Sequence, residues 1–451
     1  MNRSVAAFQE HFEELCADAY AALKSAEILA CEFIAEDSQF IRLNAAKVRQ
    51  AGQVQDATVR LKLFLKAQDG VRCGESSLSL TGDSEADRGR VLQALRSLQQ
   101  ELPTLPVDPF AVLPARRGDV EQIEEGQLLA PEKVCDELLS ECRGADLAGI
   151  YASGTMARGT SNNLGQKQWF YSENFSIDYS IYTPAEKAVK STFAGSRWSK
   201  SEFAQDLAQS RSLLQAMERP AVKIPKGKQR VYLAPAAVSD LIGMFSWGGV
   251  SERSIRKGES PLRFLRIGER SLSPLFSLTE DFTLGLVPRF NGEGDISPET
   301  VPVIDRGQLV GSLVHSRTAA EYGVPANGAT SGEGFRSPSM KAGDLKRGEI
   351  FSKLGTGVYL SNLHYLNWSD PFEGRITGMT RYACLWVENG QVVGPIETMR
   401  WDDGIYRMFG SELEAVTDFR SVIAETNTYH QRHVGGMLMP GMLLRSMNFT
   451  L

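Results

Sequence analysis

The sequence predicts an α+β protein of two domains, in which an N-terminal α/β-layered domain with an antiparallel sheet precedes a β-rich C-terminal domain. Helical and alternating apolar patterns succeed one another through residues 1–222, whereas residues 223–451 contain mainly strand and hairpin signals. All six tryptophans lie at or beyond Trp169, which also distinguishes the two halves. A chain of 451 residues can bury a core in each of two or three domains.

The first domain is predicted to begin with an amphipathic helix over residues 4–25, because large apolar residues recur there at helical spacing. Two strands are expected next, at residues 28–36 and 38–45. A hairpin with an Asp-Gly turn is predicted over residues 59–80, where leucines alternate with polar residues. A helix over residues 84–101 completes this α+β unit.

Four prolines between residues 103 and 114 predict an extended, Pro-rich connector. The acidic run at residues 121–125 is expected to be a solvated loop. The remaining elements of the first domain are a helix, a β-meander and a second helix, at residues 131–143, 147–183 and 199–218. The domain boundary is predicted at the Lys- and Pro-containing segment that begins with Lys223.

The second domain is predicted to open with a short strand at residues 231–233 that runs into a helix near Pro235. Two hairpins follow, at residues 301–314 and 381–396. The second hairpin contains an Asn-Gly pair, which is among the strongest hairpin signals. Short helices are expected after Asp403 and Ser411, since Asp and Ser are good N-caps. The Gly- and Ser-rich segment 327–343 is predicted to be a mobile surface loop.

Composition excludes several classes of function. A net charge of −6 and a pI near 5.6 argue against a nucleic-acid-binding protein, which normally presents a basic surface. No apolar run approaches the roughly 18 residues of a membrane span, and the first residues lack the pattern of a signal peptide. The six cysteines form no C-x-x-C pair, so reduced thiols and a cytoplasmic location are expected.

Several blocks of the sequence resemble the TldD/PmbA family of peptidases. Their order and spacing carry the resemblance, and they lie at residues 149–183, 187–198, 313–323, 357–370 and 375–410. The last two read GVYLSNLHYLNWSD and RITGMTRYACLWVENGQVVGPIETMRWDDGIYRMFG. The resemblance implies a C-terminal domain of the TldD/PmbA type and, as substrates, unfolded or flexible peptides. Some family members are described as gyrase modulators, but the acidic composition gives no support for contact with DNA.

The strand–helix unit within residues 231–260 carries a more specific implication. In metal-bearing members of the family this unit contains H-E-x-x-x-H, which supplies two zinc ligands and a catalytic glutamate. The three positions correspond here to Gly243, Met244 and Gly248, none of which offers a zinc ligand or a base. The resemblance therefore implies the metal-free, PmbA (TldE)-like branch, with no zinc in this chain. Met244, Phe245 and Trp247 are expected to form a packed helix face.

Five histidines are the other candidates for metal or acid–base chemistry. His11 is expected at the surface of the first helix, and His315 and His364 are expected to be hydrogen-bonded structural residues. His430 and His433 are the one close pair. They leave open an alternative in which the chain is a hydrolase with a relocated metal site.

The segment SNLHYLNWSD at residues 361–370 is the candidate for peptide binding. A strand edge offers main-chain N–H and C=O groups to any sequence, while Asn and Tyr side chains can clamp peptide groups. Asn362, Tyr365 and Asn367 are predicted to do so, with Arg381 as a partner for a carboxylate or carbonyl.

Together these observations predict a non-catalytic subunit of a TldD/TldE-like heteromeric metallopeptidase. The expected partners are a metal-bearing, TldD-like paralogue that holds the zinc, and an unfolded peptide. No nucleic acid and no membrane is expected. The alternative from a different class is a peptide-binding or scaffolding homodimer that acts alone.

Overall fold

The computed structural model describes residues 5–450, whose strands form one sheet of seven strands and another of eleven. The first sheet and its helices comprise α1 Val5–Ala21, β1 Glu27–Asn44, β2 Lys47–Ala67, β3 Gly70–Ser79, α2 Ser84–Glu101, β4 Val120–Glu124, α3 Pro131–Cys142, β5 Asp146–Asn162, β6 Lys167–Tyr182, β7 Ala188–Gly195 and α4 Lys200–Met217. The strand order is β3-β2-β1-β5-β6, and β4 and β7 both pair with the outer side of β6. Neighbouring strands are antiparallel except β4 and β6.

Aromatic packing joins the N-terminal helix to this sheet. Phe12 on α1 stacks on Phe33 of β1, with ring centroids 5.1 Å apart, and also contacts Trp169 of β6. A second buried cluster lies under α3 and α4, and it also includes Ala383 and Leu385 from the C-terminal half. The two halves of the chain therefore share apolar packing.

The second sheet and its helices occupy the rest of the chain. They comprise β8 Gly227–Leu233, α5 Pro235–Gly243, α6 Glu252–Arg256, α7 Arg263–Arg266, β9 Leu278–Asp281, β10 Thr300–Asp305, β11 Gln308–Leu309, α8 Ser316–Tyr322, β12 Pro338–Met340, α9 Ile350–Leu354, β13 Gly357–Asp370, β14 Arg375–Glu388, β15 Gln391–Pro395, β16 Arg400–Gly404, β17 Leu413–Ala424 and β18 Gly436–Phe449. The long strand β18 pairs with β8, β12, β16 and β17. β8 lies between β13, to which it is parallel, and β18, to which it is antiparallel.

The predicted α+β class is confirmed, with an antiparallel sheet in the N-terminal part and a large sheet in the C-terminal part. The boundary between residues 222 and 223 stays a prediction. The described residues contain no helix with the length and apolar character required to cross a lipid bilayer. All six cysteines are free thiols.

Several local predictions in the first half are corrected. The predicted helix over 4–25 starts at a residue outside the described ones and is observed from Val5 to Ala21. β1 is one continuous strand, so the prediction of two strands is wrong. Glu36 and Ser38, which flank the predicted break, are both buried inside the strand. The acidic run at 121–125 is mostly strand β4 rather than a loop.

Two predictions in the second half are also wrong. A π-type helical turn follows Asp403, but Ser411 is followed by the strand β17, because Leu413 and Val416 pack into the core. Segment 327–343 is not simply a surface loop, since Glu333 within it is fully buried. The Glu333 carboxylate accepts hydrogen bonds from the backbone N–H groups of Arg253 and His315, at 3.0 and 2.9 Å. Tertiary hydrogen bonds therefore fix a stretch whose composition favoured mobility.

Candidate functional site

The end of helix α5 and the residues just after it are the positions that the family resemblance singled out. Pro235 occupies its first turn, where its missing N–H leaves no donor unpaired, and the apolar residues Leu241 and Ile242 are buried in the core. The helix ends at Gly243 and continues into a short 3-10 turn that begins with Met244. Gly248 lies beyond the turn at φ +82°, a conformation that favours glycine.

A cleft of about 740 Å³ opens beside this helix end. Its floor is formed by α5 and the following turn, including Asp240, Gly243 and Met244. The other walls come from residues 363–366 of β13, the segments 287–292 and 330–338, the end of β17 with residues 434–437, and residues 32–33 and 158–160 of the first sheet. The cleft thus lies where the two sheets meet, which is a frequent position for ligand sites.

The edge of strand β13 borders this cleft. β8 pairs with β13 only as far as Leu360, after which the chain of β8 turns into α5. Three residues further along β13, the N–H of Leu363 donates to the carboxylate of Asp240 at 2.9 Å, and not to a strand. The pairing of β13 with β14 is irregular between His364 and Asn367. Only some of the backbone N–H and C=O groups of this stretch therefore form hydrogen bonds within the sheet.

Tyr365 lies at the irregularity in β13. Its φ of +50° is unusual for a residue with a Cβ, and its side chain is 77% exposed. Its ring centroid is 4.2 Å from that of His364, which also lines the cleft. Backbone strain of this kind, of order 1–3 kcal/mol, is found preferentially at binding and catalytic sites. The strained bulge turns an exposed aromatic ring toward the cleft.

Strand β17 supplies a second edge. Its last residues, Ile423 and Ala424, pair on one side with Met437 and Gly436 of β18, and all four line the cleft. Among the described residues the other side of β17 has no strand partner beyond one bridge, between Thr417 and Leu345. Two strands of the second sheet thus bring partly unpaired backbone to one cavity.

Asp240 is the carboxylate on the cleft floor. Burial raises its pKa to about 6, although the hydrogen bond from Leu363 and the charge of Lys190 act in the opposite direction. Burial lowers the pKa of His364, and the positive charge of Arg381 lowers it further. Perturbed carboxylates in clefts are candidates for functional residues.

Arg336 fixes the wall formed by residues 288–297. Its guanidinium donates to the carbonyl oxygens of Pro288 and Phe290, at 3.2 and 2.8 Å, and to Ser297 Oγ at 3.0 Å. Its own backbone N–H donates to Glu280 at 2.9 Å. Burial raises the pKa of Glu280 to about 7 and lowers the pKa of Arg336 to about 10. Because the Arg336 guanidinium is hydrogen-bonded to backbone carbonyl oxygens, its charge is not freely available to a ligand.

Residues 425–435 connect β17 to β18 and reach the first sheet through Arg432, which is 4% exposed. Its backbone N–H donates to Glu36 at 3.3 Å, and its guanidinium donates to Ser38 Oγ and to the Asn174 side chain. Arg158 in turn donates to the carbonyl oxygen of Arg432 at 3.2 Å. Burial lowers the pKa of Arg432 to about 10. Arg432 is therefore the residue of this segment that ties the two sheets together.

The donor set of the cleft does not fit a zinc ion. Gly243 and Met244 line the cleft, and a Cβ at Gly243 would meet nothing closer than the Met437 methyl at 3.8 Å. The position is thus open but carries no ligand. Within residues 5–450, no group of three His, Cys, Asp or Glu side chains could hold a metal ion. His430 and His433 are both exposed, and the described part of the chain places no third ligand near them.

The structure separates the predicted peptide-binding residues. Tyr365 lines the cleft, whereas Asn362, Asn367 and Arg381 do not. Asn362 and Arg381 face each other across β13 and β14. The Arg381 guanidinium lies 5.0 Å from the ring centroid of Tyr382. The assignment of these residues to peptide binding stays a prediction.

Of the other side chains whose surroundings were predicted, Trp247 and His11 differ from the prediction, and Met244, Phe245 and His315 agree with it. Met244 and Phe245 are buried as expected, but Trp247 is 60% exposed and lines the cleft. His11 is buried rather than at the surface, and its Nε2 lies 3.1 Å from the Asp87 carboxylate. His315 is hydrogen-bonded, as expected, to Glu293.

Asp240 and Arg432 were missed by sequence reasoning. A lone acid in the apolar run VSDLIGMF was the one signal available for Asp240. Arg432 had no comparable signal, because its partners lie more than 250 residues away in the chain.

Residues 226–451 match the family model described as the PmbA/TldA metallopeptidase C-terminal domain. No curated protein matches the sequence.

Three solved structures share the fold. TldE from Thermococcus kodakarensis has 14% identity and a TM-score of 0.78, with 98% of this chain and 100% of that chain covered. A Bacteroides thetaiotaomicron protein and a Thermotoga maritima protein, both named as candidate modulators of DNA gyrase, have 15% and 16% identity. Their TM-scores are 0.76 and 0.73, with 98% of this chain covered in both cases and 98% and 100% of those chains.

Proposed function

The chain belongs to the PmbA/TldD metallopeptidase family, and we propose that it is a metal-free, non-catalytic subunit of a heteromeric peptidase that processes unfolded or flexible peptides. Its partner is a metal-bearing, TldD-like paralogue that contributes the zinc ion and the catalytic glutamate. One observation carries the proposal: the helix end that holds ligands in metal-bearing relatives carries Gly243 and Met244 here, yet it still faces a large cleft.

The cleft suits an extended chain. The edges of β13 and β17 border it with backbone groups that are not fully used by the sheet. A peptide that adds to such an edge is held by main-chain hydrogen bonds, which any sequence can form. In a folded protein most backbone N–H and C=O groups are already paired, so few of them are available to such an edge. The geometry therefore favours unfolded segments as substrates.

Exposed aromatic side chains add to this backbone recognition. Trp247 and Tyr365 line the same cleft and are 60% and 77% exposed. Aromatic rings bury much apolar area when a ligand covers them, and they lose little side-chain entropy. The two rings can therefore contact the side chains of a bound peptide without requiring one particular sequence.

The assignment to a subunit rather than a complete enzyme follows from the chemistry of the donors. Peptide hydrolysis by zinc requires about three protein ligands, an open coordination position and a base. The cleft offers none of the ligands at the family's positions, so this chain contributes peptide binding and the partner contributes the reaction.

Blocking the cleft tests the proposal. Gly243 is a helical residue that lines the cleft, and a Cβ added there meets only the Met437 methyl at 3.8 Å, so Gly243→Phe places a ring at the cleft. Gly89→Phe is the matched control, because Gly89 is an exposed glycine in α2 with nothing within 4 Å of an added Cβ. Binding of a disordered peptide is expected to fall by at least tenfold in Gly243→Phe and to stay unchanged in Gly89→Phe. Equal binding by both variants would contradict peptide holding in this cleft.

A further inference from the structure

The charge of Asp240 has no counter-ion within the described residues. Its carboxylate accepts one hydrogen bond, from Leu363 N at 2.9 Å, and forms no ion pair. The nearest cation with an influence on it is Lys190, whose Nζ is itself bonded to Asp178 at 2.8 Å. A partly buried carboxylate with free acceptor capacity is energetically unfavourable unless a ligand supplies the missing donors.

The other cations of the cleft cannot fill this role. Arg336 donates to the carbonyl oxygens of Pro288 and Phe290. Arg158 donates to the carbonyl oxygens of Ala35 and Ala157, at 3.2 and 2.8 Å. Both guanidinium groups are therefore held against backbone in other walls of the cleft. The negative charge on the floor remains available to a bound molecule.

Two further features favour a cationic ligand at this place. Trp247 and Tyr365 present exposed aromatic rings to the same cleft, and aromatic faces attract ammonium and guanidinium groups. Asp240 also lies where β13 is no longer paired with β8. A chain that pairs with this edge brings its own groups close to the carboxylate.

We propose that Asp240 is a subsite for a cationic nitrogen of the bound peptide. The source is either the α-ammonium group of the peptide or a Lys or Arg side chain, since both offer N–H donors and a positive charge. This inference rests on the proposed function and extends it by naming a chemical preference within the substrate class. Peptides that carry a positive charge near the β13 edge bind more tightly than neutral peptides of the same length.

Three synthetic peptides of one disordered, uncharged sequence separate the sources. The first has a free N-terminus, the second is N-acetylated, and the third is N-acetylated with one internal lysine. Each has an amidated C-terminus. Their dissociation constants are measured by calorimetry on the full chain, on Asp240→Asn and on Asp136→Asn. Asp136 is the control, because it is an exposed residue of α3 outside the cleft.

The expected result is that wild type binds at least one charged peptide about tenfold or more tightly than the acetylated neutral peptide, and that Asp240→Asn removes this difference. Asp136→Asn keeps it. Tighter binding of the peptide with the free N-terminus would identify the α-ammonium group as the ligand of Asp240. Tighter binding of the lysine peptide would identify the lysine side chain.

Equal affinities of all three peptides for wild type would overturn the inference and leave peptide binding intact. An equal loss for neutral and charged peptides in Asp240→Asn would assign Asp240 a structural role instead. Failure of every peptide to bind wild type would overturn both the subsite and the proposed function.

Discussion

The carboxylate of Asp240 accepts a hydrogen bond from the backbone N–H of Leu363 at 2.9 Å. A charged side chain of α5 thus takes the place of the strand partner that β13 loses after Leu360. Since the same carboxylate lines the cleft, one residue both completes the sheet edge and presents charge to a ligand. Several consequences of this arrangement can be measured.

Asp240→Asn is expected to stabilise the protein at high pH. Burial raises the pKa of Asp240 from its ordinary value near 3.8 to about 6, so the folded state holds the proton more tightly than the unfolded state. Stability is therefore lost as the pH rises from about 3.8 through about 6, by at most about 3 kcal/mol for a shift of roughly two pKa units. An asparagine oxygen still accepts from Leu363.

Urea unfolding at pH 4 and pH 8 measures this difference. The variant is expected to exceed wild type in free energy of unfolding at pH 8 and to equal it at pH 4, where Asp240 is largely protonated. A variant that is less stable than wild type at pH 8 would show that the ionised carboxylate is satisfied within the chain.

Arg432→Ala is expected to lower the free energy of unfolding by about 1–3 kcal/mol, because the buried guanidinium's hydrogen bonds to Ser38 and Asn174 are lost. His433→Ala is the matched control: it is the next residue, but its side chain is exposed, so a change within about 0.5 kcal/mol is expected. Thermal melts of both variants check the prediction. Similar losses in both would mean that the whole segment, rather than Arg432, joins the two sheets.

Zinc content is expected to be independent of the histidine pair. His430 and His433 are exposed and have no third ligand among the described residues. Elemental analysis of purified protein is therefore expected to find no stoichiometric zinc, and His430→Ala to change nothing. One tightly held zinc per chain that disappears in His430→Ala would instead support a hydrolase with a relocated site.

Tyr365→Ala is expected to weaken binding of a disordered peptide about fivefold, corresponding to about 1 kcal/mol, without lowering the melting temperature. The ring is exposed and lines the cleft, so its removal costs contacts with the ligand and not with the core. Asn362→Ala is the comparison on the same strand, since Asn362 lies outside the cleft lining. An equal loss of affinity in Asn362→Ala would favour the sequence-based assignment of that residue to the peptide site.

The elements that could be predicted closely are those determined by local chemistry. Helix α2 has the predicted bounds because Asp83 caps it, accepting from the N–H of Ala86 at 2.8 Å. The hairpin of β14 and β15 turns at Asn389 and Gly390, which adopt φ of +50° and +76°. A type I′ turn requires positive φ at both central residues, and Asn-Gly is the pair that best tolerates it.

The features that could not be predicted depend on contacts distant in sequence. The first half of β2 is exposed on both faces, so residues 47–55 show no apolar alternation, and only pairing with β1 makes them a strand. The burial of His11 depends on Asp87, and the burial of Arg432 depends on Glu36 and Asn174. The cleft itself is composed of segments from both sheets. A sequence pattern alone does not bring those segments together.

Reconstitution with the metal-bearing paralogue tests the central claim most directly. The two chains are co-expressed, separated by size-exclusion chromatography, and assayed for cleavage of a disordered peptide, with each chain alone as the reference. The account predicts that the chains co-elute, that this chain alone cleaves nothing, and that the complex cleaves faster than the paralogue alone. A monomer that neither co-elutes with the paralogue nor changes its cleavage rate would contradict the account, and a homodimer that ignores the paralogue would favour a peptide-binding scaffold that acts alone.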